Sequence, residues 1–312
     1  MPFGNSPQAV SLREVGPRDG LQAEPTIVDT ADKISLVNRL SAAGVPRIEV
    51  TSFVSPQWLP QMADAEQVMA GIARRPGTHY SVLVPNLVGA ERALATRPDE
   101  MTVFVSASET HNQKNVHRTI EASLEGFRQI IQKVGTQVPV SAVIVTAFGC
   151  PYEGVVPAAQ VMALIDRLAA LGIREITLGD TVGVANPRQV STLVQQIFSQ
   201  RPEIQLGLHF HDNRGTALAN LVAAWQVGAT RFETALGGIG GSPFSPGAGG
   251  NLATEDAVYL LQEMGVETGV DLPALLATTQ FLIETLGHGV PSRVFAAGGR
   301  MVPQKGGNPH GH

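Results

Sequence analysis

What most restricts how this chain can fold is a repeated alternation of two hydrophobic periods. Strand-like apolar runs fall at 9–15, 47–53, 80–84, 101–107, 138–148, 174–178, 206–213 and 231–235. Strand side chains repeat every two residues and helix side chains every 3.6, so the stretches between these runs can be told apart from them. Thr30 is placed to N-cap a helix with Ile34, Val37 and Leu40 on one face, stopped at Gly44. Helical spacing returns at 88–95, from about Asn115 through Leu124, Phe127 and Ile131, after Pro157 through Val161, Leu164 and Leu168, near Pro187, at 216–226 and at 253–264. Eight strand-then-helix units with no break in composition predict an α/β fold, a closed (β/α)8 TIM barrel. One more helix, 272–286, makes a short C-terminal extension. The expected organisation is a single domain over 1–297, followed by a Gly-rich tail, 298–312, expected to be disordered.

Composition removes several classes of function. With 43% hydrophobic and 16% charged residues over 312 positions, the chain is an ordinary globular one. A net charge of -5 argues against a nucleic-acid partner, and no apolar run is long enough for a membrane span. The single cysteine, Cys150, cannot form an internal disulfide and suits a reducing compartment. The start of the chain carries neither an export nor an import pattern, so the cytoplasm is the expected location.

In such barrels the active site lies at the C-terminal ends of the strands. The seventh run, LGLHFHDN, ends in His209 and His211, which leave a strand on the same side. Two hydrogen-bonded histidines at a strand end are the commoner use of this pattern. Its company argues for a metal. Arg18-Asp19 lies just past the first strand, Glu49 ends the second, and Asn251 stands just past a glycine-rich loop; Asp180, at the end of the sixth, falls at the same mouth. A carboxylate and two imidazoles that converge suit Mg2+ or Mn2+ better than Zn2+, and three ligands leave positions open for substrate. Asp19 before Gly20 is also an ordinary turn residue, and Asp180 an ordinary opening of the turn after it. Arg18 beside a metal is a ready partner for a developing oxyanion. The stretch 237–250 lacks the spacing of a phosphate loop and reads as a lid, closed by Asn251 and Glu255. Cys150 is balanced between a small buried residue and a residue of the mouth.

Six ordered stretches, EVGPRDGLQ, IEVTSFVSP, GCPYEG, LGDTVG, LHFHD and GNLATED, closely resemble the 3-hydroxy-3-methylglutaryl-CoA lyases. These belong to a class of barrel metallolyases that includes isopropylmalate synthase. The resemblance runs from about residue 9 to 287. It implies that Asp19, His209, His211 and Asn251 bind the divalent metal, that Arg18 stabilises an enolate, and that Glu49 supports the base. It also puts Asp180, Ser52, Gln22 and Arg18 near the substrate, an acyl-CoA, in a homo-oligomer (dimer or tetramer). The family's mobile loop carries a cysteine in GGCP, proposed as a proton donor, and this chain has Ser242 in GGSP. A thiol has a pKa of about 8.5 and a serine hydroxyl is a far weaker acid.

The implied reaction is metal-dependent retro-Claisen cleavage of 3-hydroxy-3-methylglutaryl-CoA, or a close 3-hydroxy-3-alkyl relative, to acetyl-CoA and a keto acid. Ser242, taken as catalytic, is where a rival substrate such as citramalyl-CoA enters. Two further rivals are a condensing acyltransferase and a barrel that keeps its metal without catalysis. The base is open between a water and a carboxylate near Glu49 or Asp180.

Overall fold

The computed structural model describes residues 6–241 and 250–299. Eight parallel strands close on themselves in chain order: β1 (Ser11–Glu14), β2 (Arg47–Ser52), β3 (His79–Leu83), β4 (Glu100–Ser106), β5 (Val140–Val145), β6 (Glu175–Asp180), β7 (Gln205–Phe210) and β8 (Arg231–Thr234). Around them run α1 (Thr30–Ala42), α2 (Ala65–Gly71), α3 (Leu87–Leu94), α4 (Glu109–Val116), α5 (Ile120–Val134), α6 (Ala158–Ala170), α7 (Pro187–Gln200), α8 (Ala217–Gln226) and α9 (Thr254–Glu263). Beyond them, α10 (Leu272–Leu286) and α11 (Arg293–Ala297) form the extension. The (β/α)8 TIM barrel is as expected.

Local structure departs from expectation at four places. Thr30 is the first helical residue of α1, not its cap; Asp29 takes the N-cap position, and the Thr30 hydroxyl donates to Asp64. The helix expected from about Asn115 is two, because His117 adopts a left-handed φ of 54° and breaks it. Thr119 then starts α5 afresh by accepting the Ala122 N–H. The fifth strand stops at Val145, since Thr146 has a φ of 58°. Finally, the helix between β2 and β3 has no counterpart in the sequence pattern: α2 is only 7 residues long, too short for a clear period.

The large apolar side chains lie outside the barrel wall. Leu12, Ile48, Tyr80, Val103, Ile144 and Phe232 are buried between the strands and the helices. On the helix side, Leu124, Phe127, Ile130 and Val134 form one face of α5, and each such burial contributes about 1.5–3 kcal/mol. The floor of the barrel interior is polar instead. There Arg13 donates to Glu100 and Glu175 (2.6 Å each), Arg47 pairs with the same two carboxylates, and Ser141 donates to Glu100 at 2.5 Å. This layer replaces the branched apolar residues usual in such barrels, and it seals the end away from the site.

Candidate metal centre

After β1 the chain makes one wide helical turn in which the N–H groups of Arg18, Asp19 and Gly20 converge on the Val15 carbonyl. The turn throws Arg18 and Asp19 over the barrel mouth. Arg18 Nε donates to Glu49 Oε2 at 2.5 Å and Nη1 to Asp19 Oδ1 at 2.6 Å. Gln22 adds a bond to Asp19 Oδ1 at 2.8 Å. Burial alone would raise the Asp19 pKa, but Arg18, His209, His211 and the Asn251 amide outweigh it and bring it to about 2.

His209 and His211 point inward from the end of β7, ring centroids 5.1 Å apart. His211 Nδ1 lies 3.0 Å from the Asp180 carbonyl, and His209 Nδ1 lies 3.1 Å from Glu233 Oε2. Both partners can only accept, so Nδ1 carries the proton in each ring and the Nε2 lone pairs are left over. Neither Nε2 makes a hydrogen bond among the described residues. One ligand atom from each of Asp19, His209 and His211 falls within 4.8 Å of the others. Burial, with His209 adding its charge, lowers His211 to about 4, so that ring is neutral and ready to ligate. His209 is raised against its burial, by Glu233 above all.

Asn251 comes from the far side. The segment that carries it is knitted between the ends of β7 and β8: Leu252 N–H bonds to Phe210 O, Asp212 N–H to Gly250 O and Ala235 N–H to Leu252 O. The Asn251 amide nitrogen donates to Asp19 Oδ2 (2.8 Å) and Ile239 O (3.1 Å). Its oxygen is buried with no hydrogen-bond partner among the described residues. An orphaned oxygen of this kind costs stability unless a ligand meets it, and a cation is what it could accept. Gly240 has a φ of 91°, and a Cβ there would sit 2.7 Å from Asn251 Nδ2 and 3.0 Å from the Asp19 carbonyl, so only glycine lets the loop close over these ligands. Two imidazoles and a carboxylate with ligand atoms within 4.8 Å of one another fit a divalent metal.

The centre opens into a cavity of about 830 Å³ lined by Arg18, Gln22, Ser52, His209, His211 and Glu233, among others. Its far half, from β3, β4 and β5, is apolar: Leu83, Phe104, Val143 and Val145. Other expected residues stand further back. Glu49 is buried beneath Arg18; burial raises it above the usual carboxylate range, against the pull of Arg18. Asp180 uses both oxygens to hold the following loop, through the N–H groups of Val184 (2.9 Å) and Ala185 (3.1 Å). Cys150 lines a separate groove of about 780 Å³ and sits 3.0 Å from the Ser108 hydroxyl, away from the centre. Ser242 lies outside the described residues. Glu233 was not anticipated: its only signal was an acid inside the short strand RFET.

The family model described as HMGL-like matches residues 9–282. The chain belongs to the HMGL-like family. Within it, the chain is 47% identical over 296 residues to the hydroxymethylglutaryl-CoA lyase of Bacillus subtilis, covering 94% of this chain and 97% of that one. It is 42% identical to the mitochondrial hydroxymethylglutaryl-CoA lyase of Gallus gallus, covering 95% and 99%. A solved structure of an HMG-CoA lyase from Acinetobacter baumannii, in complex with coenzyme A and 3-methylmalate, superposes with a TM-score of 0.90 at 44% identity, covering 95% and 98%.

Proposed function

We propose that this member of the HMGL-like family is a divalent-metal-dependent carbon–carbon lyase that cleaves 3-hydroxy-3-methylglutaryl-CoA to acetyl-CoA and acetoacetate. The observation that carries the reading is the set of ligand atoms of Asp19, His209 and His211 within 4.8 Å of one another, with the Asn251 amide bonded to the same Asp19. Asp19, His209, His211 and Asn251 would hold the ion, Mg2+ or Mn2+ by their hardness, and it would supply Lewis acidity that makes the substrate's tertiary hydroxyl easier to deprotonate.

The protein's own groups do the rest. Asp180 spends a lone pair of each oxygen on the loop and positions His211 through its carbonyl, which favours Glu49 as the base. Glu49 keeps one oxygen without a hydrogen bond among the described residues, and its raised pKa suits a base that receives the proton through a water. When the carbon–carbon bond breaks, charge arrives at the thioester oxygen as an enolate. Arg18, fixed by Glu49 and Asp19, presents its guanidinium there. Gln22 and Ser52 line the approach, and the apolar half of the cavity faces the methyl group.

Two observations favour a second reading, a lyase for a substrate such as citramalyl-CoA whose carboxylate sits on the hydroxyl carbon. One is Ser242 in place of a thiol, and the other is the 3-methylmalate in the Acinetobacter relative, a hydroxy acid of that type. Turnover of a panel of hydroxyacyl-CoA thioesters with Mg2+ or Mn2+ separates the two. If only the proton donor differs, Ser242→Cys should raise kcat on 3-hydroxy-3-methylglutaryl-CoA by up to the ~10²–10⁴ of general acid catalysis. No gain, with faster turnover of citramalyl-CoA by the unmodified protein, would replace the first reading with the second.

A further inference from the structure

We propose that Arg13 and Glu233 are positioning residues that set the His209 ring from the floor of the barrel. The inference rests on the reading of His209 as a metal ligand. The strand register puts the three side by side: Arg13 of β1 is the Cα partner of Glu233 of β8, and Glu233 is the partner of His209 of β7. Successive parallel strands thus carry a cation, an anion and an imidazole at one level, with all three side chains turned inward.

Glu233 is buried and committed on both oxygens. Oε2 accepts the His209 Nδ1–H at 3.1 Å, and Oε1 accepts the Thr177 hydroxyl at 3.1 Å. Arg13 Nη1 stands 3.6 Å from the same Oε1, while Nη2 is tied to Glu100 and Glu175. Arg13 therefore reaches from the floor ion pairs to the one carboxylate that grips a ligand.

Two physical facts make the arrangement matter. The χ2 torsion of histidine is broad and roughly two-fold, so a ring without an acceptor at Nδ1 can turn and present the wrong nitrogen. Glu233 prevents this by fixing both tautomer and plane. His211 is held instead by the Asp180 main-chain carbonyl, which no side-chain substitution removes. His209 is thus the imidazole whose aim depends on a residue outside the ligand set. Glu233 in turn shares the interior with the Glu49 carboxylate, and without Arg13 the two acids would face each other less compensated.

The experiment titrates Mn2+ into metal-free wild type, Glu233→Ala, Glu233→Gln, Arg13→Met and Arg231→Met by calorimetry, with the metal-free melting temperature of each. Mn2+ Kd should rise about 10–100-fold in Glu233→Ala, the usual effect of removing such a partner. It should rise less in Glu233→Gln, whose amide oxygen still accepts the Nδ1–H, and also in Arg13→Met. Arg231→Met cuts a floor pair with Glu175 but does not touch Glu233, so it should lower the melting temperature and leave Kd alone. An unchanged Kd in folded Glu233→Ala overturns the proposal. If that variant does not fold, an unchanged Kd in both Glu233→Gln and Arg13→Met overturns it equally. So does an Arg231→Met that weakens Mn2+ as much as Arg13→Met, which would mean general loosening. Wild type that binds no Mn2+ sinks the metal reading and this one with it, an outcome distinct from tight wild-type binding that Glu233 does not influence.

Discussion

The two ends of this barrel are built from the same kinds of residue and do opposite things. At the floor, Arg13, Arg47 and Arg231 meet Glu100 and Glu175, three cations sharing two carboxylates in short ion pairs. A void of about 10 Å³ lies among Arg13, Arg47, Glu175 and Arg231. At the mouth, Arg18, Asp19, Glu49, His209 and His211 are also paired, yet ligand atoms of Asp19, His209 and His211 still lie within 4.8 Å of one another, and the three residues line or border a cavity of about 830 Å³. Buried polarity is therefore no guide to function by itself. What marks the mouth is that ligand atoms from a carboxylate and two imidazoles converge within 4.8 Å of one another.

Substitutions at the two ends should separate activity from stability, beginning with the largest effect. Asp19→Asn should abolish Mn2+ binding and lower kcat by roughly 10³-fold or more, the several kcal/mol that a Lewis acid supplies, while the metal-free protein still folds. A variant that retains wild-type turnover would remove the distinction between the ends. At the floor, Glu100→Gln leaves Arg13 and Arg47 short of a partner and should cost about 3–5 kcal/mol in denaturant unfolding, with kcat of the folded enzyme little changed. A large loss of kcat without a loss of stability would put the floor in the catalytic machinery.

Arg18→Gln tests the mouth more finely. Charge reaches the thioester oxygen only as the bond breaks, so kcat should fall about 10²–10³-fold and KM should move little. A KM effect with kcat retained would reassign Arg18 to holding the substrate.

The smallest effect is in pH. Burial, against their hydrogen bonds, raises Glu14 and Glu255 to about 7. Glu14 accepts from Leu236 N–H and Glu255 from Gly237 N–H, where β8 gives way to the glycine-rich loop. A carboxylic acid with a raised folded pKa binds more protons folded than unfolded, so its contribution is lost as pH rises from about 4.5 through about 7. Glu100 is lowered by Arg13 and Arg47 against its burial, and its contribution is lost in the other direction, as pH falls below about 4.5. Glu14→Gln or Glu255→Gln should then flatten the decline in unfolding free energy between about pH 5 and 8. An unaltered slope in both would show that these acids are not titrating there.

The barrel was legible because its two periods survive in any local window. Asp19, His209 and His211 were legible because short motifs put them at strand ends. Asn251 stood out as an Asn just past a glycine-rich loop, but its role as a ligand came only by resemblance, since nothing in GGNLATED says that it reaches Asp19, 232 residues away. The floor was illegible for the same reason: Arg13 meets partners 87 and 162 residues on, and charges inside strands look alike whether they face water, a partner or a ligand. Glu233 combined both difficulties. The split of α4 from α5 turned on one left-handed residue, His117, a backbone choice that composition does not encode.

The segment that carries Asn251 is anchored by sheet-like hydrogen bonds: Asn251 N–H to Gly240 O, Leu252 N–H to Phe210 O and Ala235 N–H to Leu252 O. The chain between Gly241 and Gly250 is thus spliced into a frame that already holds both of its ends. Such a frame separates two kinds of inheritance. The ligand can stay fixed while the intervening sequence is exchanged for a shorter, longer or differently charged one, so new acyl groups could be recruited by loop replacement without rebuilding the centre that breaks the bond.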